Sequence, residues 1–143
     1  MFSRKIAILL LLIWWGAFTF YSGVVINVGM KVLGSHTEMG FITQKVTNYL
    51  NYFSLPIFLF ISYIYRAERW LFLLSILLVF LQIFLFVLHQ KLDNLLAGGV
   101  PHFQGFIVKQ KTEFYFLHRI YLLTSTFIWL VVSGFVIVGF RRK

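Results

Sequence analysis

Long apolar stretches alternate with short polar segments along the chain, and four of these stretches approach the length of a membrane span. They run over residues 6–28, 49–65, 70–88 and 114–140. A helix that crosses the hydrocarbon core of a bilayer needs roughly 20 mostly apolar residues. Because backbone polar groups in lipid must be paired within the structure, each stretch is predicted to be a transmembrane helix.

The connections between these stretches predict how the helices are arranged. The second and third stretches are joined only by residues 66–69, so they are predicted to form a tight antiparallel hairpin. Ser35-His36-Thr37-Glu38 has the form of a capping box, which predicts that the second helix begins near residue 36 and extends outward beyond its apolar part. The fold class is therefore predicted to be all-α. Residues 1–143 would form a single integral membrane domain, an antiparallel four-helix bundle.

Composition supports a membrane protein and argues against a soluble one. Hydrophobic residues make up 60% of the chain and charged residues 12%, whereas soluble domains carry about 25% charged residues. A globule of this size could not bury so much apolar surface. The net charge of +9 does not indicate a nucleic-acid partner, because the basic residues flank apolar stretches. The expected partners are membrane lipids and other membrane protein subunits.

The distribution of basic residues predicts the orientation. With four spans, both termini and the short turn at 66–69 share one side, which carries Arg4, Lys5 and the Arg141-Arg142-Lys143 tail. The positive-inside rule places this side in the cytoplasm, as expected for a protein of the bacterial inner membrane. All four histidines then fall on or near the outer side, so any site is predicted to face outward.

Polar residues inside the third and fourth stretches suggest a candidate site. Ser75, Gln82 and His89 follow one another at intervals of seven, and His118 and Ser125 repeat that interval. Seven residues return to nearly the same face of a helix, so the two polar stripes could meet with His89 and His118 at similar depth. Two such histidines could ligate haem iron, and a histidine beside a hydroxyl or amide could hold a quinone headgroup. The alternative is that these residues only form hydrogen bonds between helices, with no cofactor.

Several kinds of chemistry lack support in the sequence. No third ligand stands at the spacing of a metal site, and neither an HExxH motif nor a glycine-rich phosphate loop occurs. The chain also has no cysteine. We therefore predict no catalytic residue and no metal site, and an enzymatic role is not favoured. The lack of an acidic residue in mid-membrane disfavours a proton-coupled transporter.

A small-residue face on the first stretch predicts helix packing. Its members stand three or four residues apart: Gly16, Thr19, Gly23 and Asn27. Small residues at this spacing let helix backbones approach closely in lipid, either within this bundle or in a homodimer.

The second outer connection is a predicted interaction element. It contains Pro101, Phe103 and Phe106, and it is too apolar to lie in open water. It is expected to fold onto the bundle, to dip into the membrane interface or to pack on a partner.

These features favour a non-catalytic accessory or scaffold subunit of a larger membrane protein complex. The lipid-facing surface is rich in aromatic residues, and the connections on the cytoplasmic side are too short for chemistry. One alternative is a haem- or quinone-binding redox protein that uses His89 and His118. Another is a small transporter component.

The start of the fourth stretch resembles a known sequence pattern. Phe114-Tyr115-Phe116-Leu117-His118-Arg119, with Thr124-Ser125-Thr126, is similar to a late helix of small four-span bacterial membrane proteins of unknown function. These proteins are related to an animal transmembrane protein family associated with cisplatin resistance. Gly16 and Gly23 resemble the small-residue face of its first helix. The resemblance implies a four-span fold and no particular activity. The patterns expected of the small membrane-type protoporphyrinogen oxidase are not found.

Overall fold

The computed structural model describes residues 2–95 and 111–141, and over these residues the regular structure is entirely helical. The elements are α1 (Phe2–Phe20), a π-helical segment (Tyr21–Val25), α2 (Ile26–Leu33), α3 (His36–Ile64), α4 (Arg69–Leu95) and α5 (Lys111–Arg141). The backbone stays helical where α1, the π-helical segment and α2 join, so these three form one continuous helix, named here the first rod. The predicted all-α class is confirmed.

Local sequence explains where α2 ends and α3 begins. Gly34 ends α2 with a φ of 60°, a left-handed conformation that glycine adopts without steric penalty. The Ser35 hydroxyl then accepts a hydrogen bond from the Glu38 backbone N–H at 3.3 Å. This N-cap starts α3 at His36, the position that the capping-box pattern indicates.

The turn between α3 and α4 is as short as the sequence indicates. The Tyr65 N–H donates to the Ile61 carbonyl, and the Glu68 N–H donates to the Tyr65 carbonyl at 2.9 Å. The Arg4 guanidinium forms a 2.8 Å ion pair with Glu68 beside this turn. The N-terminal part of the first rod therefore lies at the same end of the molecule as the turn, named here the hairpin end.

Three helices are long and apolar enough to cross a membrane, among the residues that the structure describes. They are Arg4–Leu33, Arg69–Leu95 and Thr112–Gly139. The sequence predicts a fourth span at 49–65, but α3 does not reach the same hydropathy. Its polar residues Asn48, Asn51 and Ser54 lie in or beside this stretch and lower the average.

The helices pack around a shared core. α1 packs against α3 and α5, and α4 packs between α3 and α5 on the other side. Toward the hairpin end this core is mostly apolar, and we call that part the sealed half. Its fully buried side chains include Ala7, Leu11, Phe58, Ile61, Leu78 and Val132.

The packing differs at the opposite end. There α2 packs against α3, but within the described ranges neither α2 nor the π-helical segment contacts α5. The first rod therefore lies against α5 only along α1, and a gap opens between them beyond Phe20.

Candidate functional site

A cavity of about 700 Å³ occupies the part of the bundle away from the hairpin end, named here the cavity half. The first rod, α3, α4 and α5 all contribute to its walls. Much of the lining is apolar and includes Trp14, Phe18, Ile26, Met30, Leu85 and Ile128. Ligand sites in proteins typically have such a size and such a lining, with a few polar groups that set orientation.

One polar cluster joins three helices at the cavity wall. Gln82 of α4 donates from Nε2 to Asn51 Oδ1 of α3 at 2.9 Å. Asn51 donates from Nδ2 to the Tyr121 hydroxyl of α5 at 3.1 Å. All three side chains are buried. Because a buried amide without a partner is costly, this cluster favours one register between the three helices.

A second polar cluster lies nearer the outer ends of α3 and α4. The Asp93 carboxylate accepts a hydrogen bond from Gln44 Nε2 at 2.8 Å and lies 3.2 Å from His89 Nδ1. The other ring nitrogen of His89, Nε2, lies 3.1 Å from the Thr47 hydroxyl. Both nitrogens of His89 are therefore engaged by neighbouring side chains, and both oxygens of Asp93 have a partner.

His118 reaches the cavity from α5. Its ring stacks on Phe114, with centroids 5.8 Å apart and planes 9° from parallel. The ring of His89 meets Tyr121 edge-on, with centroids 5.9 Å apart. Both histidines therefore line the same cavity, but each is packed against an aromatic ring of α5.

Two buried hydroxyls at the cavity have no hydrogen-bond partner among the described residues. They belong to Tyr21 and Ser125, which are only 5% and 6% exposed. Ser54 provides the contrast, because its hydroxyl accepts from Trp14 Nε1 at 2.6 Å and donates to the Leu50 carbonyl at 2.5 Å. Buried polar groups in proteins are normally paired, so two orphans at one cavity need an explanation.

The π-helical segment begins at Tyr21, which already lines the cavity, and it shifts the residues that follow so that Ile26 and Met30 line the cavity too. The Ile26 N–H donates to the Tyr21 carbonyl five residues back, which is the π-helical pattern. Just before the segment the Thr19 hydroxyl donates to the Trp15 carbonyl at 2.7 Å, and within it the Ser22 hydroxyl donates to the Phe18 carbonyl at 2.9 Å. Such side-chain bonds compete with regular helix hydrogen bonds. Short π-helical segments are frequent at functional sites.

The cavity opens sideways between the first rod and α5. Ser22 on the first rod and Leu122 on α5 both line the cavity and are both exposed. Tyr115, also at the cavity, is 62% exposed. In a bilayer this opening would face the lipid chains.

The structure brings the four predicted cofactor-site residues together. His89, His118, Gln82 and Ser125 all line the cavity. The stripe does not extend along the whole of α4, because Ser75 lies in the sealed half and donates to the Phe72 carbonyl at 2.7 Å.

These residues fit hydrogen bonding better than metal coordination. Axial ligation of haem by His89 would require it to give up its contact with Asp93 or Thr47. Within 2–95 and 111–141, no group of three or more histidine, cysteine or acidic residues could hold a metal ion.

Of the predicted small-residue face on the first rod, one residue contacts α5 and the others have open space beside them. Thr19 accepts a hydrogen bond from Trp129 Nε1 of α5 at 2.9 Å, which joins the two helices. A Cβ added at Gly16 or Gly23 would meet no atom within 4 Å among the described neighbours. Asn27 is exposed and donates to the Gly23 carbonyl at 2.8 Å.

The predicted interaction residues of the second outer connection are Pro101, Phe103 and Phe106. They lie outside the described residues.

Some residues of the site are missing from the predicted set. Gln44, Thr47 and Asn51 follow one another at intervals of three and four on α3, a spacing that can be read from the sequence. Asp93, four residues after His89, has the spacing of a helical pair. Tyr21 carries such a signal too, because it stands three residues after Phe18 and seven after Trp14, and all three line the cavity.

Comparison of the chain with protein-family models, with curated proteins and with solved structures finds no match. The resemblance to four-span bacterial proteins therefore stays a prediction. The geometry of the cavity is the basis for a functional conclusion.

Proposed function

We propose that this chain is an integral membrane protein that binds an amphipathic small molecule from the lipid phase. The polar headgroup would lie among the polar side chains of the cavity, and the apolar tail would leave between the first rod and α5. The observation that carries this proposal is a cavity of about 700 Å³ with mixed lining and a lateral opening. A ligand that partitions into the membrane could reach such a site without crossing water.

The contrast between the cavity and its surroundings supports binding rather than simple helix packing. Polar groups that only hold helices together need no cavity beside them, and the Asn51–Gln82 bond is of this kind. Tyr21 and Ser125, in contrast, belong to the cavity lining and carry buried hydroxyls that form no hydrogen bond among the described residues. A quinone belongs to this class of ligand, so a quinone-binding role is compatible with the proposal. Haem fits less well, because Asp93 and Thr47 engage both ring nitrogens of His89.

We also propose that the hairpin end faces the cytoplasm of a bacterial inner membrane. Arg4, Lys5, Arg66 and Arg69 cluster there, and positive residues favour the cytoplasmic side. Since the chain has no cysteine, Ala67→Cys and Lys31→Cys would each give a single label site at an exposed position. In intact cells an impermeant maleimide should label Lys31→Cys only; labelling of Ala67→Cys alone would invert the orientation.

Native mass spectrometry tests ligand binding directly. The protein would be extracted in a mild detergent, and its mass compared with that of the polypeptide. We expect an added mass of a few hundred daltons that organic solvent removes. A protein that carries no added mass, and takes up none from a total membrane lipid extract, would contradict the proposal.

A matched pair of tryptophan variants shows where the ligand lies. Thr43 lines the cavity, and its neighbour Ile42 is 41% exposed on the outside of α3. Thr43→Trp should fill part of the cavity and remove the added mass, whereas Ile42→Trp should keep it. Equal retention by both variants would place the ligand elsewhere.

A second candidate, the accessory or scaffold subunit, is favoured by the outer surface of α3. This helix falls short of the apolarity of a span, and yet it exposes Tyr49, Tyr52, Phe53 and Tyr63 by 58–67%. A partner helix packed on these rings would account for both facts. Co-migration with larger proteins on a native gel, lost in Phe53→Ala, would support this candidate; migration as a lone chain would oppose it.

A further inference from the structure

The two orphan hydroxyls indicate the chemistry of the headgroup, an inference that rests on the proposed function. We infer that the cavity selects an uncharged headgroup with carbonyl oxygens, which accept hydrogen bonds from Tyr21 and Ser125. Tyr21 lies on the first rod and Ser125 on α5, on the two sides of the lateral opening. A headgroup held by both would therefore bridge the gap.

The hydrogen-bonding capacity of these hydroxyls favours an acceptor on the ligand. A hydroxyl has one hydrogen to donate, and buried donors are left unpaired more rarely than buried acceptors. Each of the two atoms is buried; Thr43 lies near the Tyr21 hydroxyl and Tyr121 near the Ser125 hydroxyl, but neither pair forms a hydrogen bond of standard geometry. A carbonyl oxygen satisfies such a donor and needs no hydrogen of its own.

The charges at the cavity favour a neutral headgroup. Neither lysine nor arginine is among the described residues that line it, so a phosphate or carboxylate would lose its hydration without gaining a counter-ion. Asp93 is the acidic residue of the lining, and its two oxygens are engaged by Gln44 and His89. A cationic headgroup would have to break that cluster.

Two buried polar side chains of the lining beside them are already satisfied. Ser54 is bonded to Trp14, and Asn51 is bonded to Gln82 and Tyr121. Breaking these bonds for a ligand would offset much of what the ligand gains. Tyr21 and Ser125 can bind a headgroup without losing an existing partner.

Two kinds of membrane molecule share this chemistry. An isoprenoid quinone carries two ring carbonyls on an apolar tail, and a diacylglycerol carries two ester carbonyls. Both are uncharged and both partition into bilayers, so the experiment must separate them.

The test is a calorimetric titration of the full-length protein in detergent after removal of bound lipid. The probes are a benzoquinone with a short isoprenoid tail, dioctanoylglycerol and the dioctyl ether of glycerol, which lacks the carbonyls. We expect Tyr21→Phe and Ser125→Ala each to weaken binding of the preferred carbonyl ligand about fivefold, as for loss of one neutral hydrogen bond. The double variant should weaken it about 25-fold if the two sites act independently.

Control variants remove a similar hydroxyl at a neighbouring place. Tyr49 is 67% exposed on the outside of α3, and Thr126 is exposed and donates to the Leu122 carbonyl. Tyr49→Phe and Thr126→Ala should change the affinity less than twofold. All four substitutions are conservative, and each variant is expected to keep its fold. Cooperative unfolding of each variant in detergent would verify this.

The outcomes separate this inference from the proposed function. Tight quinone binding that both hydroxyl variants weaken supports a quinone source. A diester that binds at least tenfold tighter than the diether, with the same variant effects, supports a glycerolipid source. Binding that Tyr21→Phe and Ser125→Ala leave unchanged overturns the inference but keeps the proposed function. If none of the probes and no extracted lipid binds, both are overturned.

Discussion

The sealed half and the cavity half are built from the same helices, and they differ in what those helices bury. In the sealed half Phe58, Ile61 and Val132 are fully buried in one apolar cluster. Among the described residues of this half, no buried side-chain polar atom lacks a hydrogen bond. In the cavity half α3 buries Asn51 instead, and a cavity remains. The sealed half therefore stabilises the fold by packing, whereas the cavity half leaves the space that the proposed ligand would occupy.

The backbone of the first rod helps to create this difference. α1 packs against both α3 and α5, whereas α2, within the described residues, packs against α3 and not against α5. The change occurs at the π-helical segment that begins at Tyr21. Beyond Tyr21, a regular α-helix would present other side chains to the cavity than Ile26 and Met30, because a π turn shifts the register of the residues that follow.

The largest expected effect comes from opening a cavity in the sealed half. Phe58 is 0% exposed and packs edge-on to Trp14, with ring centroids 5.3 Å apart. Phe58→Ala should lower the free energy of unfolding by about 3–5 kcal/mol, measured by denaturation in mixed micelles. Phe53→Ala, at a 65% exposed position on the same helix, should change it by less than about 0.5 kcal/mol. Similar losses for both would mean that this half is not tightly packed.

A smaller effect should separate a paired hydroxyl from an orphan one. Ser54→Ala leaves the buried Trp14 indole N–H without its acceptor, so unfolding should become easier by about 1–3 kcal/mol. Ser125→Ala removes a hydroxyl that has no partner to lose, so the ligand-free protein should be unchanged or slightly more stable. Thermal unfolding of lipid-depleted protein would compare the two. A destabilised Ser125→Ala variant would show that this hydroxyl is satisfied within the chain.

The smallest expected effect is at the cluster that joins α3, α4 and α5. Gln82→Leu removes the hydrogen bond to Asn51 and should lower the stability by about 1 kcal/mol, because hydrogen bonds between membrane helices contribute modestly. Gln90→Leu, at an exposed position of the same helix, is the matched control and should have no such effect. A loss above about 3 kcal/mol would make this cluster as important to the fold as the sealed half.

Part of this arrangement could be predicted from sequence because it depends on local patterns. The Ser35–Glu38 capping box locates the start of α3, and residues 66–69 locate the turn, because each depends on a few adjacent residues. The seven-residue interval between Gln82 and His89 predicts that both lie on one face of α4, because helical periodicity determines which face a residue takes. Both residues line the cavity.

The rest depends on packing across the bundle. The mean hydropathy of α3 is below that of a span because the helix contains polar residues such as Asn51 and Ser54. In the structure these two residues are buried, and aromatic residues such as Tyr52 face outward. A hydropathy average cannot distinguish this arrangement from a helix outside the membrane. The alignment of Ile26 and Met30 with the cavity depends on the π-helical segment, which follows no pattern used to read spans.

Cysteine labelling tests the central claim most directly, because the chain has no cysteine of its own. Ser125→Cys and Ser75→Cys would place one thiol in each half at positions that are both buried, 6% and 0% exposed. We expect a membrane-permeant maleimide to label Ser125→Cys in native membranes, more slowly when the bound molecule is restored, and to leave Ser75→Cys unlabelled. Equal lack of reaction at both positions, with an exposed Thr126→Cys fully labelled, would contradict an accessible binding cavity.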